Sequence, residues 1–398
     1  MALQGVRKWA HRRMLCMRRY YHRLLMWRYR REGIDPNLVV FSCFQGRSYG
    51  DNPRAVSERL HERCPEAKIA WLLRGAAMER AGELLPDYAI AVRNNSREAF
   101  RMLATARVWV DNFTKYNILR HRRGMQFYIQ TWHGDRAIKK ICYDEARWAK
   151  KPYRIEEECD RVVTGSHFAE KMYRTAFRYK GKYIDAGCPR NDILVRNDPA
   201  DIERVRAGLG VEPGVKLLLY APTYRENETV IPKRAQMDLL KTLECLERKT
   251  GDRWLCLYRA HYKSRGIDLE AVRDRLIDVT QYEDMSELLL AADMVLTDYS
   301  SCAMDYILRD MPAVLYVADW AEYTATRGVY FDIHDTPFFL AEDQAGLEKV
   351  IEGMTEESIR RNCADLKAFY GYTETGHATD AVCDYIIERL GSDRSFPD

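Results

Sequence analysis

Residues 127–141 read FYIQTWHGDRAIKKI, and the chemistry of that stretch begins at His133. A neutral imidazole titrates near working pH and can take a proton from a hydroxyl, while the adjacent Gly134 lets backbone approach a ligand closely. In the second half of the chain, three strand-like runs end in polar or basic residues. YAPTYRE leaves Thr223 and Arg225 past one run, LYRAH leaves Arg259 and His261 past another, and LTDYSSCAMDYI passes through Ser300 and Ser301 into a helical pattern. Serine hydroxyls and unpaired N–H groups at a helix start favour an anion, most often phosphate. Together with Arg190 in GCPRND (187–192), they make a positive cradle suited to a diphosphate. Plain helix capping for the serines and a satisfied core imidazole for His133 are the competing structural readings. No GxGxxG, P-loop or His/Cys metal cluster occurs, and Asp298 and Asp305 stand too far apart for the DxD pattern of metal-dependent glycosyltransferases. The sequence indicates no cofactor and leaves Mg2+ open.

The elements that must position these residues follow from the apolar pattern. Short runs at 38–44, 68–74, 89–93, 107–112, 127–132 and 161–166 predict buried strands, with helix-like stretches such as 96–106 between several of them. After an interruption at NDPADIERVRAGLGVEPGVK, strands are predicted at 216–223, 254–261, 276–280, 293–301 and 312–319, with helices near 236–249, 286–292, 301–309 and 344–352. Strands separated by helices imply parallel sheets covered on both faces, and such sheets bind ligands at the carboxyl ends of their strands. At 398 residues the chain suits two lobes with a cleft between them. The expected division is 1–32, 33–198 and 199–398, the last including closing C-terminal helices.

Charge separates the first of these segments from the rest. Residues 1–31 hold ten Lys/Arg and no acid, leaving 53 bases against 59 acids in the other 367 residues. Val6, Ala10, Met14, Met17, Tyr21 and Leu24 fall on one helical face and most arginines on others, a pattern suited to the surface of an anionic membrane. The arginines are too frequent for a spanning helix or a signal-peptide core. A helix packed on the protein body and nucleic-acid binding are the alternatives, and nucleic acid is not taken as a partner. The eleven cysteines are scattered and never closer than eleven apart, which indicates reduced thiols rather than disulfides or zinc.

SYGDNPRAVSERL, QTWHGDRAIKKI, GCPRNDIL, YAPTYRE, LTDYSSCAMDYILRDMPAVLYVAD and RGVYFD, in that order, resemble the CDP-glycerol glycerophosphotransferases of wall teichoic acid and capsule polymer synthesis. The resemblance runs from about residue 33 to 380. It implies an α/β GT-B fold of two Rossmann-like domains, with the CDP-glycerol donor bound mainly by the second, and a peripheral protein on the cytoplasmic face of the membrane. It implies His133 as general base, Gly134 beside the donor phosphates, His261 near the diphosphate as a second catalytic residue, and Arg190, Thr223, Arg259, Ser300, Ser301 and Asp305 as donor-binding positions. The acceptor it implies is a lipid-linked saccharide or polyol-phosphate chain. Family members often carry Thr-Pro where this chain has Asp135-Arg136, and YGYTETGHATDAV is a looser version of a family segment. CDP-ribitol as donor, a GT-B glycosyltransferase using a nucleotide sugar, and a non-catalytic membrane or nucleic-acid adaptor are the alternative readings. The absence of a long N-terminal extension leans towards a primase-like form.

Overall fold

The computed structural model describes residues 2–113, 120–146, 158–223, 236–260 and 270–391. Its first sheet contains β1 (Asp35–Ser42), β2 (Lys68–Leu73), β3 (Ala89–Arg93), β4 (Ala106–Asp111), β5 (Phe127–Gln130), β6 (Arg161–Thr164) and β7 (Lys182–Asp185), ordered 3-2-1-4-5-6-7. The second contains β8 (Lys216–Ala221), β9 (Trp254–Tyr258), β10 (Leu276–Asp278), β11 (Met294–Thr297), β12 (Ala313–Tyr316) and β13 (Phe339–Ala341), ordered 10-9-8-11-12-13. Every strand pairing in both sheets is parallel. Strand order reverses between β1 and β4 and again between β8 and β11, so each lobe has the doubly wound topology that opens a crevice at its strand ends.

Burial explains why these runs became central strands. β4 and β5 are buried at every position, and β8 at all but its first residue. Strands hidden on both faces read as continuous apolar runs because helices cover each side. Polar caps fix the ends of those helices: Ser96 accepts the Ala99 N–H at the start of Arg97–Thr105, and Asp238 accepts the Lys241 N–H at the start of Leu239–Thr250. β7 and β13 lie outside the predicted set. They are short edge strands of mixed exposure, without a buried run to announce them. Nine of the eleven cysteines are buried and all are free thiols.

The ends of the chain depart from the expected division. The helix Glu356–Tyr370 places Cys363, Leu366 and Tyr370 in the second lobe's core. Residues 371–375 then cross over, and the helix Ala378–Ile387 packs Val382, Cys383 and Ile386 with Val56 and Leu60 of the first lobe. Arg59 and Arg63 reach Asp380 of that helix at 2.7 and 3.2 Å. The final helix therefore completes the first lobe, because the helix Asp51–Arg63 supplies the apolar face it needs.

The N-terminal helix, Ala2–Tyr29, is anchored at its far end, where His22, Leu25 and Met26 are buried and the His22 ring lies 4.4 Å from that of Phe100. Met14, Met17, Tyr21 and Leu24 of the expected apolar face are exposed, together with Trp9, Tyr20 and Trp27. Arg13 and Arg31 stack on Trp9 and Trp27 at 4.3 and 3.9 Å. Val6 and Ala10 carry no described side chain. Among the described residues, no helix is long and apolar enough to cross a membrane.

Candidate active site

The chain leaves β5 through a tight turn that aims His133 into the cleft. Trp132 takes a left-handed φ of 48°, its N–H donates to the Gln130 side chain, and Asn52 donates to the carbonyls of Thr131 and Trp132. A bulky residue at positive φ is strained, so surrounding bonds must hold it there. His133 Nδ1 sits 2.6 Å from the Asn112 carbonyl at the end of β4. That carbonyl can only accept, so Nδ1 carries the proton and Nε2 is left as a proton acceptor. Phe113 stacks on the imidazole at 5.3 Å, with Phe44 at 5.2 Å and Trp132 at 4.3 Å completing an aromatic surround. Burial lowers the imidazole pKa from 6.5 to about 4, against the opposing pull of the Asn112 carbonyl and Asp51. His133 is consequently neutral at pH 7.

Gly134 brings this loop against the second lobe. A Cβ placed there would lie 3.0 Å from Ser301 Oγ, so the glycine admits the serine of the opposite strand end. Ser300 Oγ accepts the Cys302 N–H, and Ser301 makes no side-chain cap bond to the short helix Cys302–Tyr306. Thr223, at the end of β8, donates its N–H to the Asp298 carboxylate at 2.9 Å. Beyond β9, Arg259 has a buried Nη1 with no hydrogen-bond partner among the described residues. Its pKa is lowered by desolvation, with Asp284 and Glu283 opposing. A desolvated guanidinium with a spare donor invites an anion. The expectation that Arg259 binds the donor predicts that alanine there weakens donor binding by about ten- to a hundred-fold, measured as the donor Kd, with lysine recovering part of the loss. An unchanged Kd would remove Arg259 from the donor site.

Arg190 and Asp305, expected at the donor, are engaged with each other instead. Arg190 Nη2 reaches Asp305 Oδ2 at 2.8 Å, and its Nη1 reaches Asp51 at 2.9 Å. The other Asp305 oxygen accepts from Arg136 at 2.9 Å and Asn191 at 3.1 Å. With both oxygens and both terminal nitrogens occupied, the pair joins the lobes, and phosphate contact is not its geometry here. His261 and Arg225 lie outside the described residues. Asn52, Asp51 and Asn112 were not singled out from sequence, although the first two lie in the SYGDNPRAV motif. Two groups of metal-type ligands occur among the described residues: His167, Glu170 and Asp185 at the surface, and Asp135, Cys188 and Glu374, into which the Arg136 guanidinium projects.

The segment after Arg136 also rests on the second lobe. Tyr330 N–H donates to the Ile138 carbonyl at 2.9 Å, and Lys140 N–H to the Gly328 carbonyl at 2.8 Å. RGVYFD and HGDRAIKKI, far apart in sequence, thus form one seam.

Two parallel Rossmann-like lobes that meet along a seam, with the His133 loop on one face and the Ser301 strand end on the other, give the GT-B architecture. The model of the CDP-Glycerol:Poly(glycerophosphate) glycerophosphotransferase family matches residues 24–388, and the chain belongs to that family. The six-motif resemblance is thereby borne out. Over 381 residues the chain is 28% identical to the teichoic acid poly(glycerol phosphate) polymerase of Staphylococcus epidermidis; the match covers 89% of this chain and 51% of that protein, so the chain spans about half that relative's length. It is likewise 28% identical over 372 residues to the teichoic acid glycerol-phosphate transferase of Staphylococcus aureus, covering 89% of this chain and 94% of that one. The solved structure of the wall teichoic acid polymerase TagF matches with a TM-score of 0.80 at 26% identity over 98% of each chain.

Proposed function

We propose that the protein transfers glycerol phosphate from CDP-glycerol to a hydroxyl of a lipid-linked acceptor, releasing CMP, in teichoic acid or capsule polymer synthesis. The observation that carries this reading is the apposition of a proton-accepting His133 and the Ser301 strand end across Gly134. The acceptor oxygen attacks the glycerol-side phosphorus and forms a new P–O bond. The diphosphate bridge breaks, its electron pair leaves with CMP, and the acceptor proton passes to Nε2 of His133. Arg259, Thr223, His261 and the N–H groups about Ser300 and Ser301 bind the donor and stabilise charge on its phosphates. Arg190 and Asp305 hold the lobes in register for this attack.

The test is CMP release from the purified protein offered CDP-glycerol, CDP-ribitol or a UDP-sugar, with a membrane-lipid extract as acceptor and His133→Ala as control. CMP from CDP-glycerol, lost in the variant, is the expected result. Release from CDP-ribitol alone would change the donor, and consumption of the UDP-sugar alone would overturn the phosphotransferase reading.

The protein is further proposed to lie on the cytoplasmic face of the cell membrane through residues 1–31, whose outward face combines Trp9, Met17, Tyr20, Leu24 and Trp27 with arginines. Replacing Trp9 and Trp27 together with alanine is expected to reduce flotation with anionic vesicles by about ten-fold or more, since each ring contributes substantial apolar burial. High salt should weaken binding of the unaltered protein to anionic vesicles, and salt-insensitive binding would contradict the arginines' part.

A further inference from the structure

We propose that Arg136 is a positioning residue that ties the His133 loop to the donor-side helix, so that the base and the donor site close as one unit; this rests on the functional reading already given. Arg136 lies three residues beyond the base and is fully buried. Its guanidinium meets a carboxylate on each of three segments. Nε is 2.8 Å from Asp135 within its own loop. Nη2 is 2.9 Å from Asp305, on the helix that begins beside Ser301, and 2.8 Å from Glu374, on the segment that crosses between the lobes.

The partners extend the tie on each side. Asp135 accepts the Gly165 N–H at 2.9 Å, which fixes the loop to the end of β6. Glu374 accepts the Cys188 N–H and an Asn191 donor, both at 2.9 Å, and its carboxylate fills space left by Gly165 and Gly187. The Tyr372 ring lies 4.4 Å from the guanidinium while its hydroxyl donates to the Met304 carbonyl at 2.5 Å. The charge thus stands between the two faces that Gly134 and Ser301 bring together.

A buried charge network is a poor device for stability alone, because apolar residues of similar volume serve as well or better. Among the described residues, Arg136 Nε and Nη1 both lack a hydrogen-bond partner, so Nε meets Asp135 as an ion pair only, a cost that packing for stability would avoid. What a guanidinium adds is geometry: its rigid plane turns Nε to Asp135 while Nη2 donates to both Asp305 and Glu374, a spacing that a flexible ammonium cannot set. A small displacement of the base relative to the phosphorus is enough to cost much of the rate.

Arg136→Lys keeps the buried charge but cannot reach all three carboxylates at once. It is expected to lower kcat for CMP release by roughly ten- to a hundred-fold while the donor Kd changes by less than about three-fold. Amide hydrogen exchange should accelerate together in the peptides covering 131–137 and 298–306. Asp305→Asn, which keeps the shape of the contact, should change the same quantities in the same direction and by less. An unaltered kcat, or faster exchange confined to one of the two peptides in both variants, would overturn the proposal. The exchange comparison needs no substrate, so it decides the coupling even if the unaltered protein releases no CMP from CDP-glycerol, a result that would instead sink the functional reading.

Discussion

A His133→Ala variant is expected to release CMP roughly 10²–10⁴-fold more slowly than the unaltered protein, the usual contribution of a positioned general base. Its unfolding midpoint and donor Kd should stay close to those of the parent. Among the described residues the imidazole makes one hydrogen bond, to the Asn112 carbonyl, and aromatic rings surround it. The pH profile supplies a second readout. Because burial lowers the imidazole to about 4, the base is active in its neutral form down to that pH, and kcat/KM should fall only as pH drops through about 4. The same shift has a stability sign. Between pH 6.5 and about 4 the unfolded chain binds a proton that the folded imidazole refuses, so stability present above 6.5 is lost as pH falls across that window. An acid limb near 6.5 would mean that the imidazole titrates as if in water, and near-parental turnover in the alanine variant would remove His133 from the mechanism.

The second large effect is on folding. Replacing Arg136 with leucine leaves the buried Asp135 and Glu374 carboxylates without their cation and Asp305 with Arg190 alone. Breaking a buried ion pair by removing one partner costs about 3–5 kcal/mol, which would show as a lower urea midpoint at unchanged slope. Burial raises the Glu374 pKa while Arg136 holds it down. Loss of the guanidinium should therefore leave Glu374 protonated at neutral pH, and a second substitution, Glu374→Gln, should recover part of the loss. A cost below about 1 kcal/mol, typical of a surface pair, would mean that water reaches the cluster and that it ties nothing together.

Much of the architecture was legible because central parallel strands are covered on both faces. β4, β5, β8, β11 and β12 each appear in the sequence as an apolar run that needs no partner to be recognised. β7 and β13 were not, because KYID is bounded by charged residues and FLA spans only three positions. His133, Arg259 and the Ser300-Ser301 pair were singled out by the same logic, because each stands where an apolar run ends. Asn52 and Asn112 could not. Asn52 acts by clamping carbonyls eighty residues away, and Asn112 acts through its backbone carbonyl, which carries no side-chain signature.

The sequence by itself determined two doubly wound lobes, a basic N-terminal helix and the family. Local periodicity and strand-end chemistry depend on neighbours a few residues apart, and those are written in the chain. Only the tertiary structure decided that the last helix returns to the first lobe, that the N-terminal helix is anchored by His22, Leu25 and Met26, and that Arg190 and Asp305 hold each other. Whether a buried arginine meets a ligand or a carboxylate depends on which distant residues share its cavity. Asp51, Arg136, Arg190, Asp305 and Glu374 become neighbours only when both lobes and the crossing segment 371–375 are in place.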